Sequence, residues 1–216
     1  MSAAQERSYE SRINWCVEAV QQPLDIKLLF GNSQPVVCEI GFGMGSATAE
    51  LAARNPDINY LGIEVYKAGI GRLIWEIENL GLKNIRIIEG DAAEVLKDTI
   101  SGSQFEGFHV FFPDPWPKKR HHKRRLMHRP FTELLAERLK ASGYVYMVTD
   151  WEDYALDALA ELEASAGLCN AYSGFAEPLA WRPATKFERK GRAAEHKIYE
   201  LYFVKSGGVF ADMESE

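Results

Sequence analysis

One carboxylate, one indole and a dense run of cations share residues 111–125, Phe-Phe-Pro-Asp-Pro-Trp-Pro-Lys-Lys-Arg-His-His-Lys-Arg-Arg. Pro113, Pro115 and Pro117 lack amide hydrogens and fix φ, so neither a helix nor a central strand runs through them. Asp114 and Trp116 are thereby expected on a stiff, extended rim at the end of the apolar run Phe108 to Phe112. Six Lys/Arg among eight residues follow, Lys118, Lys119, Arg120, Lys123, Arg124 and Arg125, with His121 and His122 between them. A carboxylate and an aromatic face beside concentrated positive charge suit a base delivered on a phosphate backbone. The chain as a whole is acidic, 25 Lys+Arg against 31 Asp+Glu for a net charge of −6. The patch is therefore a local device for a polyanion rather than a by-product of composition.

A second group of acids recurs at the ends of apolar runs. Glu39-Ile-Gly41-Phe-Gly43-Met-Gly45 follows Val36 to Ile40. Glycines there allow a sharp turn and a close approach of a ligand to the backbone. A dinucleotide fingerprint, Gly-x-Gly-x-x-Gly, would need glycine at position 46, which is Ser46. The spacing found, with an acid two residues ahead, resembles the S-adenosylmethionine turn of Rossmann-like methyltransferases. Glu39 would suit the cationic end of that ligand, directly or through water. Glu64 falls about 20 residues after the glycines, where a carboxylate accepts from ribose hydroxyls. Asp91 follows the next strand, on the adenine side, although a helix N-cap explains that residue as well.

The elements that must position these groups alternate. Val36 to Ile40, Asn59 to Val65, Ile85 to Ile88, Phe108 to Phe112 and Tyr144 to Val148 have strand length and composition. Between them, Ser46 to Arg54, the stretch containing Ile70, Leu73, Ile74, Ile77 and Leu80, Ala92 to Ile100 and Pro130 to Lys140 carry helical periodicity, and Glu152 to Ala166 follows. Strict rotation of strand and helix means right-handed βαβ units and an α/β, Rossmann-like, doubly wound, mostly parallel sheet. After residue 170 the rhythm changes, and Leu179 to Arg182 with Ile198 to Val204 read as an antiparallel β-hairpin closing the sheet edge. The expected organisation is a helix and covering segment over residues 1–35, a ligand-binding domain over 36–205, and a flexible acidic tail over 206–216.

With 216 residues, 46% apolar and 26% charged, the chain is long enough for one well-buried core. No apolar run reaches membrane-span length, and Met1 to Arg12 has no secretory apolar core. Three scattered cysteines, Cys16, Cys38 and Cys169, form neither a disulfide framework nor a metal pattern, which points to a reduced, cytoplasmic setting. His121, His122 and His128 lack companion ligands, so no metal site is expected. His109, inside a strand, reads as a core histidine.

Glu39-Ile-Gly-x-Gly-x-Gly, Glu64, Gly90-Asp91, the Pro113-Asp114-Pro-Trp-Pro-Lys-Lys-Arg-His-x-Lys-Arg-Arg stretch and Thr185-Lys186-Phe187-Glu188 form one set. On these residues the chain resembles the bacterial tRNA (guanine-N7-)-methyltransferase family over roughly residues 36 to 205. The resemblance implies methyl transfer from S-adenosyl-L-methionine to guanine 46 in the tRNA variable loop. It makes Glu39, Gly41, Gly43, Gly45, Glu64, Asp91 and Asp114 the cofactor set, with Asp114 also catalytic. It assigns Lys118, Asp150, Thr185, Lys186, Phe187 and Glu188 to the substrate. Arg120, His121, His122, Lys123, Arg124 and Arg125 would face RNA. The implied partner is tRNA, with no membrane and no metal, and the protein a monomer or weak homodimer. A rival reading, methylation of an exocyclic amine, rests on the similarity of Asp114-Pro-Trp to an Asp/Asn-Pro-Pro-aromatic signature.

Overall fold

A computed structural model describes residues 1–17, 23–183, 188 and 197–207. Five parallel strands form the centre: β2 (Val36–Ile40), β3 (Asn59–Glu64), β4 (Ile85–Glu89), β5 (Phe105–Phe111) and β6 (Leu139–Thr149). A short β1 (Cys16–Val17) pairs parallel with β4, and β7 (Leu168–Asn170) and β8 (Tyr199–Lys205) complete the other edge antiparallel. The order across the sheet is β1-β4-β3-β2-β5-β6-β8-β7. β2 and β5 are neighbours although two strands separate them in the chain, so the strand order reverses between them. Ligands of open α/β sheets bind outside the carboxyl ends of the strands at such a point.

The runs β2 and β3 are buried along their whole length, as expected for strands covered on both faces. One face carries α3 (Ser46–Arg54) and α4 (Lys67–Leu80). On α4, Ile70, Leu73, Ile74 and Ile77 are fully buried, each contributing about 1.5–3 kcal/mol of transfer free energy. Helix α1 (Ala3–Glu10), opened by a Ser2–Gln5 capping box, lies on the outside of α4. The contact closes at Gly71, where a Cβ would stand 2.2 Å from the Gln5 carbonyl oxygen. The other face holds α2 (Ile26–Phe30), α5 (Ala92–Glu94), α6 (Phe131–Arg138) and α7 (Glu152–Glu163), whose Tyr154, Ala158 and Leu162 join the larger core cluster.

The structure departs from the sequence reading at several boundaries. The helix expected over Ala92 to Ile100 is one turn, α5, followed by a π-helical turn at Val95–Thr99. β6 begins at Leu139, directly after α6, and is more than twice as long as expected. The antiparallel edge exists, but Leu179 to Arg182 is a turn, and β8 pairs instead with Leu168–Asn170. The acidic tail expected over 206–216 lies, beyond residue 207, outside the described residues.

Candidate active site

The first turn of the sheet is built by backbone geometry. Gly41, Gly43 and Gly45 hold φ of 67°, 57° and 70°, a region that residues with a Cβ occupy rarely. The Gly43 amide donates to the Glu64 carboxylate at 2.7 Å, and the Gly41 amide donates to the Ile63 carbonyl at 2.8 Å. Both bonds tie the β2 turn to the end of β3. From below, α4 meets the turn at Gly69, where a Cβ would stand 1.8 Å from the Gly43 carbonyl oxygen. No other residue fits there without moving the turn.

Glu39 and Glu64 occupy this region in different ways. Glu39 is only 2% exposed and accepts from the Thr48 hydroxyl at 2.7 Å. Burial pushes its carboxyl up to about 7; the Thr48 bond opposes that and the nearby Glu64 adds to it. An acid poised in this way favours a cationic neighbour, whose charge would recover the ionised form. Glu64 uses one oxygen for Gly43 and the other for the amides of Val65 and Tyr66 at 2.7 and 3.0 Å. Its carboxylate is therefore fixed at the strand tip and keeps acceptor capacity toward solvent. Asp91 spends one oxygen capping α5 through the amides of Ala93 and Glu94, at 2.9 and 3.2 Å, and is exposed. The helix-cap alternative therefore holds for this side chain. At the end of β4, the Tyr9 hydroxyl of α1 donates to Glu89 at 2.7 Å, a contact that no sequence motif announced.

Asp114 follows β5, the strand beside β2. The register aligns Glu39 on β2 with His109 on β5, so the rim after Phe111 leaves the same edge of the sheet as the glycine turn. Phe112 and Trp116 flank Asp114 with φ of 53° and 45°. For bulky residues each such conformation costs about 1–3 kcal/mol and persists only where the surroundings over-determine it. Asp114 itself is exposed. Trp116 lies under the Arg124 guanidinium, 4.9 Å from the ring centre, and edge-on to His121, so its indole is braced by its own loop. Asp150 ends β6, the next strand, and lines an open groove of about 410 Å³ with Trp151, Glu152, Asp153, Lys197 and Tyr199. A cavity of similar size, about 430 Å³ between Pro23 and Lys140, lies at the opposite end of the strands, so volume alone does not mark the site.

Lys118 opens a 3₁₀ turn, Lys119–Arg124, and Lys118, Lys119, Arg120, Lys123 and Arg124 are all exposed. His121 and His122 are half-buried within it. Arg125 corrects the expectation of an RNA-facing residue: its side chain is 1% exposed. It turns inward to Asp153 at 2.5 Å, Asp157 at 3.0 Å and the Pro115 carbonyl at 3.0 Å. Asp153, Asp157 and Glu161 recur every fourth residue along α7 and face Arg125, His122, His128 and Arg129. That period, one helical turn, was the signal that could have revealed the pairing.

Glu188 also differs from expectation. It is 2% exposed and pairs at 2.5 Å with Arg182, which reaches Glu200 at 2.9 Å. Its carboxylate is engaged inside the protein rather than open to a substrate. Thr185, Lys186 and Phe187 lie outside the described residues. His109 is the expected core residue: burial drives its pKa down to about 3, leaving it neutral beside the Tyr144 hydroxyl at 2.9 Å.

Residues 33–201 match a family model described as "Putative methyltransferase". A tRNA (guanine-N(7)-)-methyltransferase of Treponema pallidum subsp. pallidum is 58% identical over 172 residues, 80% of this chain and 68% of that protein. Among solved structures, the 16S rRNA methyltransferase KamB superposes with a TM-score of 0.63 at 16% identity, over 87% of this chain and 96% of that one. SMU.1697c of Streptococcus mutans, solved in complex with SAH, gives 0.52 at 11% identity, over 95% and 99%. The fold is that of the class I methyltransferases. By sequence, the chain belongs to the tRNA (guanine-N(7)-)-methyltransferase family.

Proposed function

We propose that this protein transfers the methyl group of S-adenosyl-L-methionine to N7 of guanine at position 46 in the tRNA variable loop. The observation that carries the reading is the shared sheet edge: the Asp114 rim leaves β5 beside the glycine turn of β2, with the basic turn following it. The family relatives act, by name, on guanine N7 of tRNA.

The residues fit the cofactor. Bound over the turn, S-adenosyl-L-methionine would supply an electrophilic methyl carbon on a cationic sulfur. Glu39, whose buried carboxyl gains from a nearby cation, and Glu64, fixed at the β3 tip, would hold its amino-acid and ribose ends. Asp91, on the β4 side, would border the adenine. Guanine N7 carries a lone pair and no proton at neutral pH, so no residue need act as a base to create the nucleophile. What remains is placement of N7 in line with the methyl and stabilisation of the positive charge that grows on the ring. Asp114, on its proline-stiffened rim, supplies the fixed negative charge that offsets it. Asp150, directly after the neighbouring strand β6, would contact the base, and Lys118 to Arg124 hold the RNA phosphates.

The test is incubation of the protein with methyl-labelled S-adenosyl-L-methionine and unmodified tRNA, followed by nuclease digestion. The expected product is 7-methylguanosine, lost when guanine 46 is replaced by adenine. Label on an exocyclic amine, or retention of label after that replacement, would overturn the assignment.

A further inference from the structure

Arg125 stands at the end of a run of solvent-facing cations, yet it is the one whose side chain is sealed in, at 1% exposure. Its guanidinium makes bonds in three directions: Nε donates to the Pro115 carbonyl at 3.0 Å, Nη2 to Asp153 at 2.5 Å, and Nη1 to Asp157 at 3.0 Å. The plane also lies 5.1 Å from the Tyr154 ring centre. Only a planar fork with five donors reaches such divergent acceptors at once.

The acceptors belong to different parts of the molecule. Pro115 is the residue next to Asp114, inside the segment bounded by the strained Phe112 and Trp116. Asp153 and Asp157 lie on α7, the helix that begins two residues after Asp150. We propose that Arg125 is a positioning residue: it ties the Asp114 rim to α7 and so sets the two carboxylate arms of the substrate side at a fixed separation. This inference rests on the methyl-transfer reading of the site.

The pattern of exposure separates this role from plain stabilisation. The side chains of Asp153 and Asp157 are 63% and 35% exposed, so water can take over their bonds when Arg125 is removed. Replacing Arg125 by an apolar side chain therefore strands no unpaired charge inside the protein. Among the described residues, Arg125 is the side chain shown donating to the Pro115 carbonyl. Losing it leaves the rim free to relax its two positive-φ residues toward ordinary backbone, and Asp114 would move with it.

The variants Arg125→Met, which keeps the stem over Tyr154, and Arg125→Lys, which keeps the charge without the fork, test the tie. Single-turnover methyl transfer at saturating tRNA is expected to fall about 100-fold for Met and about tenfold for Lys, as a misplacement near 1 Å would give. Binding of S-adenosylhomocysteine by calorimetry and the melting temperature should stay near wild type. Tryptic cleavage within Lys118–Arg124 should accelerate in both variants. Unchanged transfer and unchanged cleavage would overturn the proposal, as would a parallel fall of transfer, cofactor affinity and melting temperature. If wild-type protein methylated no tRNA, the functional reading would fall by itself, and the cleavage rates would still decide whether Arg125 holds the rim.

Discussion

The two sides of the cleft are held in different ways. On the cofactor side, the backbone does the holding: three positive-φ glycines, the Gly41 and Gly43 amides, and a helix that approaches to glycine distance at Gly69. On the substrate side, prolines stiffen a strained rim, and one buried guanidinium fixes it to α7. A backbone-built turn tolerates no added atom. A side-chain tie tolerates volume changes and fails when its bonding geometry is lost. The comparison teaches that rigidity at a site has two sources, and that they are disturbed by different substitutions.

The contrast can be sharpened by experiment. The largest effect is expected at the substrate side: Asp114→Ala should lower kcat by about 10²–10³, in the range of losing one fixed electrostatic stabiliser. A circular dichroism melt should show the variant as stable as wild type.

Glu39 gives the next largest effect, and its direction follows from linkage. Its folded pKa, about 7, lies above the ordinary 4.5. Between those values the folded state binds more protons than the unfolded state, so stability falls as pH rises through that window. Glu39→Gln, which keeps the Thr48 bond, should therefore gain on wild type from pH 5 to pH 8, approaching about 3 kcal/mol. Urea midpoints at the two pH values check it; a constant difference would contradict the burial argument. The same variant should bind S-adenosyl-L-methionine more weakly.

Replacing Lys119, Arg120 and Arg124 together by Ala should reduce the slope of log affinity for tRNA against log salt by about 2–3. Adding Arg125→Met to that triple should leave the slope unchanged, because Arg125 is not on the surface. A smaller loss, about tenfold in cofactor affinity, is expected for Gly69→Ala, since the turn must shift to admit the Cβ. Calorimetry with S-adenosylhomocysteine measures it, and unaltered affinity would show that the turn yields easily.

Much of the glycine turn and of the strand ends around it was legible in the sequence because their requirements are local. Glycine spacing, acids at the ends of β-branched runs and alternating periodicity all report on backbone conformation within a few residues. Long-range pairing was not legible. Arg125 and Arg124 are adjacent and chemically identical, yet one is sealed against α7 and the other covers Trp116; only the fold separates them. Glu188 was placed with the substrate for the same reason, since its buried partner Arg182 is itself held by Glu200 on β8. The strand Leu168–Asn170 was missed because three residues carry too little alternation to stand out. The region Leu179 to Arg182 has strand-like composition but forms a turn whose Trp181 sits edge-on to the buried Tyr146.

A crystal structure with S-adenosylhomocysteine tests most directly whether the two sides form one cleft. The ligand is expected over Gly41–Gly45, with its ribose on Glu64, its adenine beside Asp91 and its sulfur facing the Asp114 rim. Density for the ligand at another end of the sheet, such as the cavity beside Pro23 and Gln104, or over the turn with Asp114 directed away from the sulfur, would contradict the account.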